Sequence, residues 1–394
     1  MMTIKSKREL LATVILRYAK ARGKEREGIL DEFVASTGYN RKYAIHLLHH
    51  PPPERRRQKR RKPRRYNAKV EFALLDVWKV ANRIAAKRLV PCLEAFVEAL
   101  ERHGELRLDP ETRALLLSMS ISTADRLLRP HRAGPRGHGL ATTKPGSLLK
   151  KSIPVRTFAD WDDARPGFVE ADLVAHCGQS TDGQYLNSLD MTDIATGWTE
   201  CLAVLNKSQR QVSKAIVAAR QRFPFPLLGI DSDNGSEFIN ANLLRYCEQE
   251  GITFTRSREY CSNDQAHVEQ KNWSVVRQFV GYDRYVGTTA LRKLEALYQA
   301  LRLYVNFFQP VQKLVAKERV GTKVRKHYDR AKTPYQRVLE SEHVSEESKC
   351  RLREQYAQLN PADLLRQIEA LQEDLWRHRE LSSWAAKPQS SIHI

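Results

Sequence analysis

Acidic residues in three separate segments have the types and surroundings needed for metal-dependent chemistry. Asp172 lies in the alternating stretch FVEADLVAH, Asp233 follows the apolar run in PLLGIDSDNG, and Glu269 lies in the helix-like NDQAHVEQKN. A charged residue inside an apolar strand is costly unless it has a partner. Carboxylates that converge at one sheet edge repel each other unless cations neutralise them, and such oxygen ligands suit Mg²⁺. Two ions held in this way would serve phosphodiester chemistry.

The periodicity of the strands leaves the choice between neighbouring acids open. Residues two apart on a strand share a face, so Glu170 is an alternative to Asp172, and Asp231 is an alternative to Asp233. Glu237 follows the Asn-Gly turn, and we expect it to begin a helix or to accept a backbone hydrogen bond, with a metal ligand as the alternative.

The segments that carry these acids are predicted to form one α/β domain. Strand-like and helix-like stretches follow each other in the order β-β-β-α-β-α-β-α between residues 159 and 287. This order is typical of a mixed five-stranded sheet with flanking helices. It would bring a strand end, a neighbouring strand and a helix together at one sheet edge.

The residues before this domain are predicted to be helical and to bind DNA. REGILDEFVASTGYNRKYAIHLLHH indicates a helix-turn-helix around Gly38, whose second helix carries Arg41 and Lys42. LDPETRALLLSMSISTADRLLRP indicates a second such unit, with Asp109 and Ser122 as the predicted helix caps. Helical hairpins that do not touch DNA have the same pattern, so that alternative stays open.

A basic segment separates the two helical units. It is too rich in like charges to fold on itself, and it is either a solvated linker or an arm along DNA phosphates or in a minor groove. The candidate DNA-binding residues of this arm are Arg55, Arg56, Arg57, Lys59, Arg60, Arg61, Lys62, Arg64 and Arg65.

Charge and composition favour a nucleic-acid partner. The 394 residues carry a net charge of +20, distributed as +18 over residues 1–150, −4 over residues 151–290 and +6 over residues 291–394. Basic flanks around an acidic centre are expected if the flanks hold DNA and the centre holds cations. The six cysteines form no CxxC pair, and neither a signal core nor a membrane-length apolar run is present. We therefore expect a cytoplasmic protein that has no membrane partner.

These features predict a chain of several domains. Leu364, Ile368, Leu371 and Leu375 have the spacing of a short coiled-coil seam, which would either mediate dimerisation or pack on its own domain. The predicted segments are a helix-turn-helix domain at 1–50, the basic arm at 51–66, a second helical domain at 67–130, a linker at 131–158, the catalytic core at 159–287, a basic extension at 288–342, and a terminal helix and tail at 343–394.

Taken together, the three acidic motifs resemble those of the DDE transposase and retroviral integrase superfamily. The closest resemblance is to integrase-core transposases of bacterial insertion sequences. In that family the second Asp directly precedes Asn-Gly, and 35 residues separate it from the Glu, as they separate Asp233 from Glu269 here. The likeness spans roughly residues 160–285, and YVNFFQPVQKL to TPYQR extends it to about residue 340. This register favours Asp233 over Asp231.

The resemblance implies a fold, a cofactor and an activity. The implied fold is ribonuclease-H-like, and two divalent ions, Mg²⁺ or Mn²⁺, are implied, with Asp172, Asp233 and Glu269 as their catalytic ligands. The implied activity is cleavage at the terminal inverted repeats of an element and joining of the freed 3′ ends to target DNA, by a homo-oligomer on the DNA. Lys271, Asn272 and Arg277 are candidate phosphate contacts, and surface solvation is the alternative for each. The resemblance also implies association with a bacterial nucleoid.

The chain also departs from one branch of the superfamily. Retroviral integrases carry a His-His-Cys-Cys zinc domain, and this sequence does not. They place Lys four and seven residues after the Glu, where this chain has Trp273 and Val276. The alternatives to a transposase are a catalytically silent DNA-binding regulator and a ribonuclease-H-type nuclease without strand transfer.

Overall fold

The computed structural model describes residues 2–51, 65–132, 165–257 and 265–380. The chain divides into two compact units, residues 1–65 and residues 66–394. Most of the predicted basic arm, including every candidate from Arg55 to Arg64, lies outside the described residues, as does the linker from residue 133 onward.

The first unit is a three-helix bundle around its own hydrophobic core. Its helices are α1 (Ile4–Lys20), α2 (Gly23–Thr37) and α3 (Arg41–His49). Gly38 ends α2 with a left-handed backbone at φ +68°, a conformation that favours glycine. The Asn40 side chain then caps α3 by accepting from the Lys42 N–H at 3.0 Å. The helix pair around Gly38 is therefore confirmed, and its reading of DNA stays a prediction.

Five short helices open the second unit. They are α4 (Ala68–Val80), α5 (Ala86–Leu89), α6 (Leu93–Arg102), α7 (Pro110–Leu117) and α8 (Ile121–Leu128). The predicted cap of α7 is confirmed, because Asp109 accepts from the Thr112 N–H at 2.8 Å. The predicted cap of α8 is wrong. Ser120 caps that helix by accepting from the Thr123 N–H at 3.3 Å, so α8 begins before Ser122.

A mixed five-stranded sheet forms the centre of this unit and confirms the predicted α/β core. Its strands have the order β3-β2-β1-β4-β5, in which β1, β2 and β3 are antiparallel and β4 and β5 run parallel to β1. The elements in chain order are β1 (Phe168–Ala175), β2 (Asn187–Asp193), β3 (Thr199–Val204), α9 (Gln209–Arg220), β4 (Gly229–Ser232), α10 (Ala241–Gln249), β5 (Thr253–Arg256) and α11 (Ala266–Lys271).

The long helix α12 (Gly287–Phe308) is fastened to the sheet through its polar side chains. Asn306 accepts from the N–H of Thr199 at 2.9 Å and donates to its carbonyl at 2.8 Å. Arg302 forms two bonds of 2.9 Å to the buried Glu200 carboxylate. These contacts fix α12 against β3.

The residues after α12 form a hairpin and three further helices. These elements are β6 (Leu314–Val320), β7 (Lys323–Tyr328), α13 (Pro334–Glu340), α14 (Glu346–Gln358) and α15 (Pro361–Trp376). The hairpin was not predicted, since its basic and apolar residues follow no clear period. Of the predicted seam, Leu364, Ile368 and Leu375 are buried on α15, which packs along α12. In this chain, the seam therefore packs on its own unit.

One hydrophobic core joins the short helices, the sheet and the C-terminal helices. Phe96 of α6 meets Phe308 of α12 at 6.2 Å between ring centroids, and Tyr304 donates to the Val80 carbonyl at 2.6 Å. The domain boundaries predicted between residues 67 and 394 therefore fall within one packed unit. The functions predicted for those segments stay predictions. No helix in the described part of the chain is long and apolar enough to cross a membrane.

Candidate active site

The sheet brings two of the predicted acids to neighbouring positions on adjacent strands. Strands β1 and β4 run parallel, and Ala171 is paired with Ser232. Asp172 follows the first of these residues within β1, and Asp233 follows the second just beyond the end of β4. Both side chains are partly exposed. The third acid, Glu269, lies on α11 and is exposed.

The electrostatics of the three acids show that Asp172 is their common neighbour. Burial raises the pKa of Asp172. Burial, and then the Asp172 charge, raise the pKa of Asp233 to about 7. Partial desolvation and the same Asp172 charge raise the pKa of Glu269. Each shift means that the ionised form is disfavoured, which is the condition that a bound cation relieves.

Both carboxylate oxygens of Asp172 accept a hydrogen bond from the protein. The Leu173 N–H donates to Oδ1 at 2.7 Å, and Nδ2 of Asn272 donates to Oδ2 at 2.6 Å. Asn272 opens a π-helical segment, Asn272–Arg277, directly after α11. Sequence reasoning treated this residue only as a possible phosphate contact, although it lies three residues after Glu269, on the same side of a helix.

Glu170 anchors the helix that carries Glu269. Its fully buried carboxylate accepts the N–H groups of His267 and Val268, each at 2.9 Å. These donors lie in the first turn of α11, where helical N–H groups have no intrahelical acceptor. Glu170 therefore bonds the start of α11 to β1, and Asp172 as the metal ligand on β1 stays a prediction.

Asp231 and Asp233 lie in different surroundings. Asp231 is fully buried within β4, and its Oδ1 accepts from the Thr255 hydroxyl of β5 at 2.7 Å. Asp233 lies past the strand end, and its Oδ1 accepts from the Gly235 N–H at 2.9 Å. The Asn-Gly turn therefore holds the Asp233 carboxylate just past the end of β4, and Asp233 as the ligand stays a prediction.

Glu237 is a fourth carboxyl group in the site. Its side chain is 8% exposed, and its charge contributes to the raised pKa of Asp172 and of Asp233. The only sequence signal for this role is its position four residues after Asp233, within the same turn.

Gly235 is packed between two of these carboxylates, so even one added methyl group at this position should disturb the site. A Cβ at residue 235 would lie 2.8 Å from Oδ1 of Asp233 and 2.8 Å from Cδ of Glu237. Gly235→Ala is therefore expected to displace one of the two carboxylates. We expect DNA cleavage to fall about a hundredfold, as displacements near 1 Å do in active sites. The unfolding temperature should change little, because only side-chain ends must move.

The matched control for this prediction is Gly28→Ala. An added Cβ at Gly28 of α2 meets no atom within 4 Å. Cleavage rates and thermal unfolding of both variants check the prediction. Equal cleavage by Gly235→Ala and the parent protein would show that the close approach has no catalytic consequence.

Two residues that follow Glu269 were predicted to contact DNA, and the fold buries Lys271 and bonds Arg277 to the protein backbone. Lys271 is 4% exposed, so it does not lie on an open surface, and its contact with DNA stays a prediction. Burial lowers the pKa of this lysine, and the nearby Asp190 carboxyl opposes that effect. Arg277 donates to the Ala175 carbonyl at 3.1 Å and lies over the Tyr282 ring. It fixes the end of β1, and its charge partly opposes the burial that raises the pKa of Asp172.

The predicted contacts in the first unit lie on its surface. Arg41 and Lys42 are exposed in the first turn of α3, and Arg41 pairs with Asp31 of α2. Arg65 is exposed at the end of the basic arm. Their contact with DNA stays a prediction.

The acidic residues have the chemistry of a divalent-cation site. In the described part of the chain, no three His, Cys, Asp or Glu side chains lie close enough together to hold a metal ion jointly. The available donors are carboxylate oxygens, which Mg²⁺ and Mn²⁺ prefer. Asp172 and Asp233 lie side by side in partly desolvated positions where their charges oppose each other. These residues fit a divalent cation.

Two comparisons with known proteins identify relatives of the chain. The family model of the integrase core domain matches residues 162–262, a range that contains Asp172 and Asp233 and ends before Glu269. The uncharacterized protein y4rM of Sinorhizobium fredii is 45% identical over 320 residues, which are 81% of this chain and 91% of y4rM.

Solved structures of retroviral proteins are also similar to part of the chain. The catalytic core domain of BIV integrase is 21% identical, covers 45% of this chain and 96% of its own length, and has a TM-score of 0.30. The HTLV-2 integrase catalytic core was solved in complex with magnesium in a dimeric form. It is 13% identical, covers 38% of this chain and 93% of its own length, and also has a TM-score of 0.30. These scores are low, so the family assignment rests on the domain match and on y4rM.

Proposed function

The chain belongs to the DDE transposase and retroviral integrase superfamily, and on this premise we propose that it is a DNA transposase. In this proposal the protein binds the ends of an insertion sequence, cuts the DNA there and joins the freed ends to a target. The observation that carries the proposal is the position of Asp172 and Asp233, each one residue after the paired Ala171 and Ser232 of two adjacent parallel strands. The helix that bears Glu269 packs on the first of these strands.

The protein's own residues prepare this site for phosphodiester chemistry. Asn272 and the Leu173 N–H orient the carboxylate of Asp172, and the Gly235 N–H orients that of Asp233. Glu170 holds the first turn of the helix that carries Glu269.

Metal ions complete the proposed site. Asp172, Asp233 and Glu269 would hold two Mg²⁺ or Mn²⁺ ions, and Glu237 adds a further carboxyl group beside them. When bound, such ions activate the attacking oxygen and stabilise the leaving oxygen of a phosphodiester. Glu269 is exposed, which leaves it accessible to an ion and to a DNA strand.

The hairpin of β6 and β7 supports double-stranded DNA as the partner. Every residue of both strands is exposed. Lys317 lies directly opposite Lys326, and like charges in this position destabilise a strand pair. A two-stranded ribbon has the width that the DNA major groove admits. The basic residues of the hairpin are Lys317, Arg319, Lys323, Arg325 and Lys326, against the single acid Glu318.

The hairpin predicts a change in the salt dependence of DNA binding. We expect the double substitution Lys317→Gln/Lys326→Gln to lower the slope of log affinity against log salt by about 2, since each lost phosphate contact removes about 0.9. The matched control is Arg107→Gln/Arg292→Gln, which removes two exposed charges outside the hairpin. Anisotropy titrations with duplex DNA at several salt concentrations measure both slopes. If the two double variants share one slope, the hairpin does not contact DNA.

One experiment separates this function from its alternatives. The full chain is incubated with labelled terminal inverted repeats, a target plasmid and Mg²⁺. We expect labelled ends that are joined to the plasmid. Cleavage without joined products would favour a ribonuclease-H-type nuclease. Binding without cleavage would favour a catalytically silent DNA-binding regulator.

A further inference from the structure

A small cavity with cationic walls lies beside the candidate active site. Its volume is about 210 Å³, and its lining comes from the turn between α4 and α5, from α5, from the segment that follows Glu269 and from the end of α12. Lys271, Trp273 and Ser274 contribute from the same helical segment whose Asn272 holds Asp172. The cavity and the acidic site therefore share one piece of backbone.

Three cations line this cavity without an anionic contact. Arg83 is exposed at its rim, Arg88 is partly buried and Lys271 is 4% exposed. In the described part of the chain, none of the three side chains has an ion pair or a hydrogen bond. The Asp190 carboxyl acts on Lys271 electrostatically but forms no ion pair with it. A buried cation without a bonded anion is costly, so this arrangement favours an anionic ligand.

The turn that carries Arg83 is strained and firmly fixed. Asn82 and Arg83 have positive φ values of 56° and 54°, which non-glycine residues adopt at a cost. The Arg83 N–H donates to the Trp78 carbonyl at 2.8 Å, and the Trp78 indole donates to the Ile84 carbonyl at 2.8 Å. Strain that the surrounding structure maintains in this way is concentrated at ligand sites.

The size of the cavity and its exposed rim restrict the ligand. Pockets for small organic ligands have about 300–1,000 Å³, so 210 Å³ suits a compact anion such as a phosphate group better. Trp273 lines the same cavity and is 56% exposed. An exposed indole of this kind is a stacking surface for a nucleobase.

We propose that this cavity binds one phosphate group of a DNA strand, with Arg83, Arg88 and Lys271 around the phosphate and Trp273 stacked on the adjoining base. DNA as the source of the phosphate rests on the proposed function. Lys271 and Trp273 flank Asn272, which donates to Asp172, so the cavity would hold the strand next to the acids.

The test measures binding of two phosphate probes to the full chain in EDTA. The probes are inorganic phosphate and a 5′-phosphorylated thymidine dinucleotide, and calorimetry gives both affinities. We expect both to bind, the dinucleotide more tightly. Arg88→Gln should weaken both about tenfold, through one lost charge-assisted contact. Trp273→Ala should weaken only the dinucleotide, also about tenfold.

The control for lost charge is Arg292→Gln, on the exposed side of α12. Circular dichroism and thermal unfolding establish that each variant is folded. Failure of both probes to bind, or equal affinities of Arg88→Gln and the parent protein, would overturn the proposal. Loss of phosphate binding in Arg88→Gln with no effect of Trp273→Ala would mean a free-phosphate site, which contradicts the assignment to DNA.

Because EDTA removes divalent cations, this binding measurement does not depend on the metal-dependent activity of the proposed function. If the dinucleotide binds as expected and the chain cuts no DNA with Mg²⁺, the cavity assignment stands and the transposase proposal falls. If the chain cuts and joins DNA while Arg88→Gln binds the dinucleotide normally, the cavity assignment alone falls.

Discussion

Asp172→Asn and Asp233→Asn are each expected to reduce cleavage of element-end DNA by on the order of a thousandfold or more. An amide in place of a carboxylate removes the charge that a metal ion requires, and such an ion contributes several kcal/mol to catalysis. The pKa of each acid is raised, so the fold disfavours the ionised form, and a neutral isostere should not destabilise it. Glu269→Gln should have an effect of similar size.

The controls for this prediction lie in the same strands and the same turn. Asp231→Asn removes an acid two residues from Asp233 that is buried against Thr255, and we expect cleavage to persist. Gel assays with labelled ends measure cleavage, and anisotropy measures binding of the ends, which should be retained in every variant. Normal cleavage by Asp172→Asn or Asp233→Asn would remove that residue from the site. If Glu237→Gln abolishes cleavage and Glu269→Gln does not, Glu237 is the third ligand.

Glu170→Ala is expected to lower cleavage about a hundredfold without changing end binding. Alanine leaves the N–H groups of His267 and Val268 without their acceptor, so the first turn of α11 loses its attachment to β1. A shift of about 1 Å at Glu269 is sufficient for a loss of this size. Each buried N–H without an acceptor also costs about 1–3 kcal/mol of stability.

Glu170→Gln separates a positioning residue from a metal ligand. The Gln side chain keeps an oxygen that accepts hydrogen bonds but loses the charge, so we expect most of the cleavage to be retained. Hydrogen exchange of the amides of His267 and Val268 should be faster in Glu170→Ala than in Glu170→Gln. If the Gln variant instead loses as much activity as Asp172→Asn, Glu170 binds metal. Unchanged exchange in the Ala variant would show that the anchor has no such function.

Much of the core was predictable because its pattern is local. The alternation in FVEADLVAH, the apolar run before Asp233 and the interval to Glu269 are properties of the chain alone. They indicated the five strands, their order along the chain and the acids of the proposed site. The structure confirms the mixed sheet. The roles of the acids remain predictions.

Other features depended on contacts between distant segments. Lys271 resembled a surface cation in the sequence, and the packing of α11 on the sheet buries it. The anchor from Glu170 to His267 joins residues 97 apart, and the bond from Asn272 to Asp172 joins residues 100 apart. The basic hairpin could not be recognised because its residues are exposed on both faces and show no alternation.

The sequence by itself determined which acids compete for the site and that Asp233 stands at a strand end, because a strand, its alternation and an Asn-Gly turn are encoded within a few residues. Only the tertiary structure decided the surroundings of each acid. The parallel pairing of β1 with β4 brings Asp172 near Asp233, and the pairing of β4 with β5 sets Thr255 beside Asp231. The packing of α11 on β1 brings its first amides to Glu170. Burial and hydrogen-bond partners distinguish these acids from one another, and both arise only when distant segments pack together.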